Sequence, residues 1–223
     1  MENMDEKTTR RDEIISVATR FFYEKGLKNT YFEMIANELN ITAPLISYHF
    51  KSKDNLAKSV FEKIGLDIKN AISEKMYLSK IPYDLKVSTV VDFLTLDMIW
   101  NQDENARNFY LEYLNCGFES TFTDNYINFY KIHDRQYHLD IDSGSGELSM
   151  LATAATFAGF ALSYAYYTDK LDCKTHEQFV DYSVKMQFRF MRIPEDEIDK
   201  IIRVGKDIFQ MMAIEIAPYF QIK

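Results

Sequence analysis

The 223 residues suffice for one small and one medium domain, and a 47% hydrophobic content excludes a mainly disordered chain. Seven glycines and four prolines, set mostly between stretches with apolar spacings of three and four, predict an all-α fold. The net charge of -8 argues against a uniformly basic nucleic-acid binder, but residues 1–60 hold nine of the 26 basic and nine of the 34 acidic residues, so the excess acid lies entirely in 61–223.

Met1 to Lys7 lacks the basic-then-apolar order of a secretory signal, and no targeting tail follows Phe220, so a cytoplasmic protein is expected. A first helix is predicted over about 11–25, with Ile14, Ile15, Ala18, Phe21 and Phe22 on one face and Gly26 as a left-handed stop. Thr30-Tyr31-Phe32-Glu33 reads as a capping box that starts a second helix ending near Leu39. Asn40 tolerates positive φ, Thr42 can cap, and a short third helix over 43–50 carries Pro44 in its first turn, where the missing amide hydrogen costs no intrahelical bond. Ser52 caps a longer fourth helix whose Leu56, Val60, Ile64, Ile68 and Ala71 mostly step by four, long enough to link two domains.

Beyond Ile81-Pro82, helices are predicted near 83–100, 105–117 and 120–140, then a turn at 143–146 and helices near 147–171, 175–191 and 195–216. Pro194 and the acids Glu195, Asp196 and Glu197 suit the start of the last one. Residues 148–168 carry no formal charge and approach spanning length. Their Ala, Ser, Thr and Tyr content, with acids at Glu147, Asp169 and Asp172 and no strong basic flank, argues for a helix buried between protein surfaces rather than in a membrane. Its small residues Ala152, Ala155, Gly159 and Ser163 recur at intervals of three or four and allow close helix approach, either between subunits or within one.

The second and third helices read as a helix-turn-helix. Close crossing needs a small residue, Ala36, and a turn of unusual φ, Asn40, while Ile35, Leu39, Ile41 and Ile46 lock the pair against the first helix. The outward side of the third helix carries Thr42, Ala43, Ser47, Tyr48 and His49, groups suited to base edges and phosphates, and Lys51 and Lys53 follow at once.

The stretch 11–56, above all Ile35-Ala36, Asn40-Ile41-Thr42, Pro44 and Tyr48-His49-Phe50-Lys51-Ser52-Lys53, resembles the DNA-binding domain of TetR-family repressors. Carried over by position, the resemblance implies that Thr42, Ala43, Pro44, Ser47 and Tyr48 approach bases. It likewise implies that Thr30, Tyr31, Tyr48, His49 and Lys53 hold phosphates of an operator duplex. Asn40 stands where the family usually has Gly and Ser47 where it often has Tyr, so the operator sequence is not implied. The resemblance also implies a homodimer built on the eighth and ninth helices, and a division into a DNA-binding domain, 1–55, and an effector-binding and dimerisation domain, 56–223.

For the second domain the residues themselves are the guide. Aromatics are dense along its middle helices, and Phe93, Trp100, Tyr113, Tyr126, Tyr130, Phe157 and Tyr164 are candidates to line a pocket for a small hydrophobic or aromatic effector; the alternative is that they are core. The acidity of this domain suggests a cationic apolar compound, with Glu112 or Asp97 as counter-charge. Cys116 and Cys173 form no CxxC pair, and His133 and His138, five apart, do not share a helical face, so neither a disulfide scaffold nor a metal is expected. No cofactor and no catalytic motif stands out, and the chain reads as a ligand-responsive regulator rather than an enzyme. An all-helical enzyme and a DNA-binding protein without an effector are the alternatives.

Overall fold

The computed structural model describes residues 10–115, 123–141, 146–172 and 175–223, with side chains throughout except at 123–126. Cys116, Phe118, Phe122, Cys173, most of the turn expected at 143–146 and the side chain of Tyr126 lie outside the described residues. Among the rest, the chain forms α1 (Arg10–Lys25), α2 (Phe32–Leu39), α3 (Ala43–Phe50), α4 (Lys53–Leu78), α5 (Leu85–Gln102), α6 (Glu104–Leu114), α7 (Thr123–Tyr137), α8 (Glu147–Tyr167), α9 (His176–Phe190) and α10 (Glu195–Met211). The all-α class expected from composition is the class observed.

Most helix limits follow from local chemistry. Gly26, at φ +79°, ends α1, as a residue without Cβ does at little cost. Ser52, Asp84, Asp103 and Thr175 each accept a hydrogen bond from a first-turn amide of α4, α5, α6 and α9. Along α4 the row Leu56, Val60, Ile64, Ile68, Ile72 and Met76 is buried, carrying one apolar seam from the N-terminal helices into the middle of the molecule.

Two expectations are corrected. The capping box does not form: α2 begins at Phe32 behind Tyr31, which makes no side-chain cap bond. Thr30 is fully buried and its hydroxyl donates to the Gly26 carbonyl at 2.8 Å, because a buried hydroxyl must find a partner and the carbonyls at the end of α1 are nearest. The last helix stops at Met211, not near residue 216. The chain then reverses through β1 (Ile216–Ala217) and β2 (Gln221–Ile222), an antiparallel pair, because Ile214 and Phe220 bury against the rest of the protein. Of the two packings open to the small-residue face of α8, the one within a single chain is seen: Ala152 and Ala155 are buried, and Gly159 faces Met186 and Gln187 of α9.

One hydrophobic core joins α1, α2, α3, α4, α5, α6 and the C-terminal hairpin; a second lies between α5, α7, α8, α9 and α10. Gly205 of α10 sits so close to α5 that an added Cβ would come within 2.5 Å of Val90 Cγ1.

Candidate nucleic-acid interface and inner cavity

The short helix α3 is held by its apolar side and presents its polar one. Ile46 and Phe50 are buried, and the Arg11 guanidinium lies over the Phe50 ring at 5.0 Å. Asn40 takes the left-handed conformation, φ 52°, which lets α2 end and α3 begin after a turn of three residues. An ion pair between Arg20 and Glu38 ties α1 to α2.

On the outer edge, Thr42, Pro44 and Ser47 are exposed, Tyr48 is 80% exposed, and Ala43 and His49 are half-buried. The Tyr48 and His49 rings meet edge-on at 5.5 Å. Tyr31, 57% exposed, stands at the N-cap of α2 with the Lys53 ammonium 5.4 Å from its ring centre. That ammonium also donates to the carbonyls of Leu27, at 2.9 Å, and Lys28, at 3.2 Å, so Lys53 clamps the loop between α1 and α2. Eight of the nine residues named from sequence thus share one accessible region, and the ninth does not: the Thr30 side chain is enclosed and its hydroxyl committed, so no phosphate reaches it.

Of the seven pocket candidates, two line a partly open inner cavity. A cavity of about 100 Å³ lies between α4, α5, α6, α8 and α9, with Phe93 and Trp100 in its wall. Tyr113 is instead stacked on Phe61 at 4.5 Å inside the first core, and Tyr130 is fully buried, its hydroxyl donating to Gln187 Oε1 at 3.0 Å. Phe157 points outward at 48% exposure, and Tyr164 lines a surface crevice between α1, α6 and α8. These four differ from the two lining residues only in where their helices face, which the aromatic content of a helix does not reveal.

The wall holds residues that sequence reading passed over or left unassigned: Phe61, Tyr110, Phe160, Tyr167 and Phe179. Trp100 and Tyr110 stack at 4.7 Å. Among the acids considered, Asp97 lines the cavity. Its Oδ1 accepts from the Tyr167 hydroxyl at 3.0 Å, its Oδ2 lies 2.8 Å from His176 Nε2, and His176 Nδ1 lies 2.8 Å from the Tyr166 hydroxyl. Burial pushes the Asp97 carboxyl above the usual range, against the pull of His176 and Tyr167, and burial beside Asp97 pushes the Tyr167 phenol up. Glu112 is elsewhere: its Oε2 accepts the Lys28 amide at 3.0 Å, joining α6 to the same loop that Lys53 clamps. His133 is enclosed between Phe129 O and Thr89 Oγ1, and burial holds it below the ordinary imidazole range.

Residues 14–60 match the family model for bacterial regulatory proteins of the tetR family. Similar solved structures include a Shewanella sp. PV-4 protein assigned to the tetR family of transcription regulators, 15% identical, with a TM-score of 0.47 and 81% of this chain and 97% of that one covered. The TetR family protein CprB from S. coelicolor A3(2) is 14% identical, with a TM-score of 0.42 and coverages of 90% and 96%. A TetR-like transcriptional regulator from Rhodococcus sp. RHA1 is 15% identical, with a TM-score of 0.39 and coverages of 84% and 98%. The match covers most of α1, all of α2 and α3 and the first turns of α4, and so coincides with the helix-turn-helix just described; this N-terminal segment is similar to the tetR family of bacterial regulatory proteins.

Proposed function

We propose that the protein is a cytoplasmic transcriptional repressor that binds operator DNA as a homodimer and is released by a small hydrophobic or aromatic effector. The observation that carries this reading is the exposed polar edge of α3, with Tyr48 at 80% exposure beside a buried Ile46 and Phe50. An α-helix so mounted fits a major groove, with Thr42, Ala43, Pro44, Ser47 and Tyr48 toward bases and Tyr31, His49 and Lys53 toward phosphates. We divide the chain into a DNA-binding part, 1–55, and an effector-binding and dimerisation part, 56–223.

Dimerisation is assigned to the outer face of α8 with α9. By length and composition α8 is apolar enough to cross a membrane, yet only 22% of its most apolar stretch is buried within the chain, leaving Met150 at 71% and Phe157 at 48% exposure. Tyr182 of α9 is 54% exposed. A second subunit packed on this face removes apolar area from water without a membrane. Each dimer then presents two copies of α3, and an effector acts by binding one spacing of the pair better than the other.

The test is a gel-shift titration of DNA flanking the protein's own coding region, with and without hydrophobic single-ring compounds. A retarded band that the compounds release supports the whole reading; no retardation of any duplex at low salt rejects it. The cavity of about 100 Å³ favours a second reading, a regulator without an effector, since ligand sites are commonly several times larger. Retardation that no compound alters selects that alternative.

A further inference from the structure

The cavity wall is chemically lopsided. It is built mainly from apolar and aromatic groups such as Phe61, Phe93, Trp100 and Tyr110, with the neutral polar Ser163, Ser183 and Gln187; it includes no Lys or Arg, and Asp97 supplies its one formal charge. A carboxylate offers about four lone-pair sites. Two are engaged here, by Tyr167 and His176, which leaves acceptor capacity on a group that faces the space.

We propose that this cavity takes a small aromatic amine in its protonated form, with the ammonium on Asp97 and the ring against Trp100 and Tyr110. The inference rests on the effector role proposed above and adds the ligand's charge and size.

The argument is one of charge balance in a desolvated place. An anionic ligand would bring a second negative charge beside Asp97 and meet no Lys or Arg in the wall, the adjacent His176 being already engaged by Asp97, and burying an unpaired charge is costly. A neutral aromatic gains the ring contacts and at most an uncharged hydrogen bond, which is worth less than a charge-assisted one. A cation gains those contacts, a charge-assisted hydrogen bond to Asp97, and attraction to the faces of the stacked rings. Size sets the other limit. An apolar cavity of about 150 Å³ admits benzene, so a space of about 100 Å³ accepts one ring with slight outward movement of its wall.

Trp100 is the chain's single tryptophan and lies in the wall, so its fluorescence reports occupancy directly. The full-length protein is titrated with benzylammonium, benzyl alcohol and benzoate. Saturable binding of benzylammonium is expected, about tenfold or more tighter than benzyl alcohol, with benzoate weakest. Equal affinity for the amine and the alcohol, an equal or better response to benzoate, or no response to any of the three overturns the proposal. In Asp97→Asn the preference for the amine disappears while the alcohol still binds; a retained preference also overturns it. If that variant does not fold, the three-ligand comparison on the parent stands alone. Ser163→Leu, which fills the cavity from α8, abolishes the fluorescence response if the site is placed correctly, and an unchanged response to benzylammonium in it overturns the placement. A gel shift on the same preparation separates failures: a protein that retards operator DNA but ignores all three ligands refutes the ligand class and leaves the regulator reading intact.

Discussion

The ring of Phe220 stands edge-on to that of Tyr23, 5.3 Å between centroids, so the end of the chain is packed on its first helix. Tyr219 adds a hydrogen bond to Glu24 at 2.9 Å, and Phe220 also meets Trp100 and Phe109. Tyr219 and Phe220 both hold positive φ, +63° and +62°, a conformation bulky residues keep only when their surroundings enforce it. Phe220→Ala is expected to cost about 3 kcal/mol or more, read as a lowered urea midpoint with little change in slope.

Tyr48 is 80% exposed and its ring meets only the neighbouring His49 among the described residues, so Tyr48→Ala is expected to leave the thermal midpoint and the dimer unchanged while weakening operator binding by about 1–3 kcal/mol. Lys53→Ala differs because its ammonium also clamps the Leu27 and Lys28 carbonyls. It lowers stability slightly and reduces the salt dependence of DNA binding by about one counter-ion. Gel shifts over a salt series, run beside thermal melts, separate the two; if both variants bind DNA like the parent, α3 is not the reading helix.

Gly205→Ala drives a Cβ into Val90, a stiff β-branched neighbour between α10 and α5. A loss of about 1–3 kcal/mol is expected in chemical denaturation. Val90→Ala made in the same chain should restore part of it, giving a non-additive double-mutant cycle.

Asp92 of α5 is half-buried, its enclosed Oδ1 has no hydrogen-bond partner among the described residues, and desolvation pushes its carboxyl up to about 7 against the pull of Lys69. The native state therefore keeps a proton that the unfolded chain releases near the ordinary carboxyl value of 3.8. Its contribution is full below that pH, is lost as pH rises through about 7, and is constant above. Asp92→Asn should flatten this slope and raise stability at pH 8 by on the order of a few kcal/mol, checked by melts across pH 4 to 8.

Helix positions in this chain are largely local matters and were readable as such: Gly26, Asn40, Ser52 and Pro194 act through their own backbone or side chain within a turn. Thr30 misled because its pattern fits a cap, while its burial, a tertiary fact, turns the hydroxyl toward Gly26 instead. The same holds for the aromatics. Phe93 and Phe157 are equivalent in sequence terms, and only the packing of α5 and α8 makes one a cavity wall and the other an outer surface. The C-terminal hairpin has no turn signal beyond Pro218 and is fixed by what Phe220 and Ile214 touch.

The shared core has a mechanical meaning. Because Ile14, Phe22, Ile64, Phe109 and Phe220 belong to a single buried cluster, α1 has no greased joint on which to pivot away from α4 and α6. Whatever opens or narrows the space beside Trp100 must turn this block as a lever rather than bend it, and a fragment severed at residue 55 would strip the lever of the apolar surface that stiffens it.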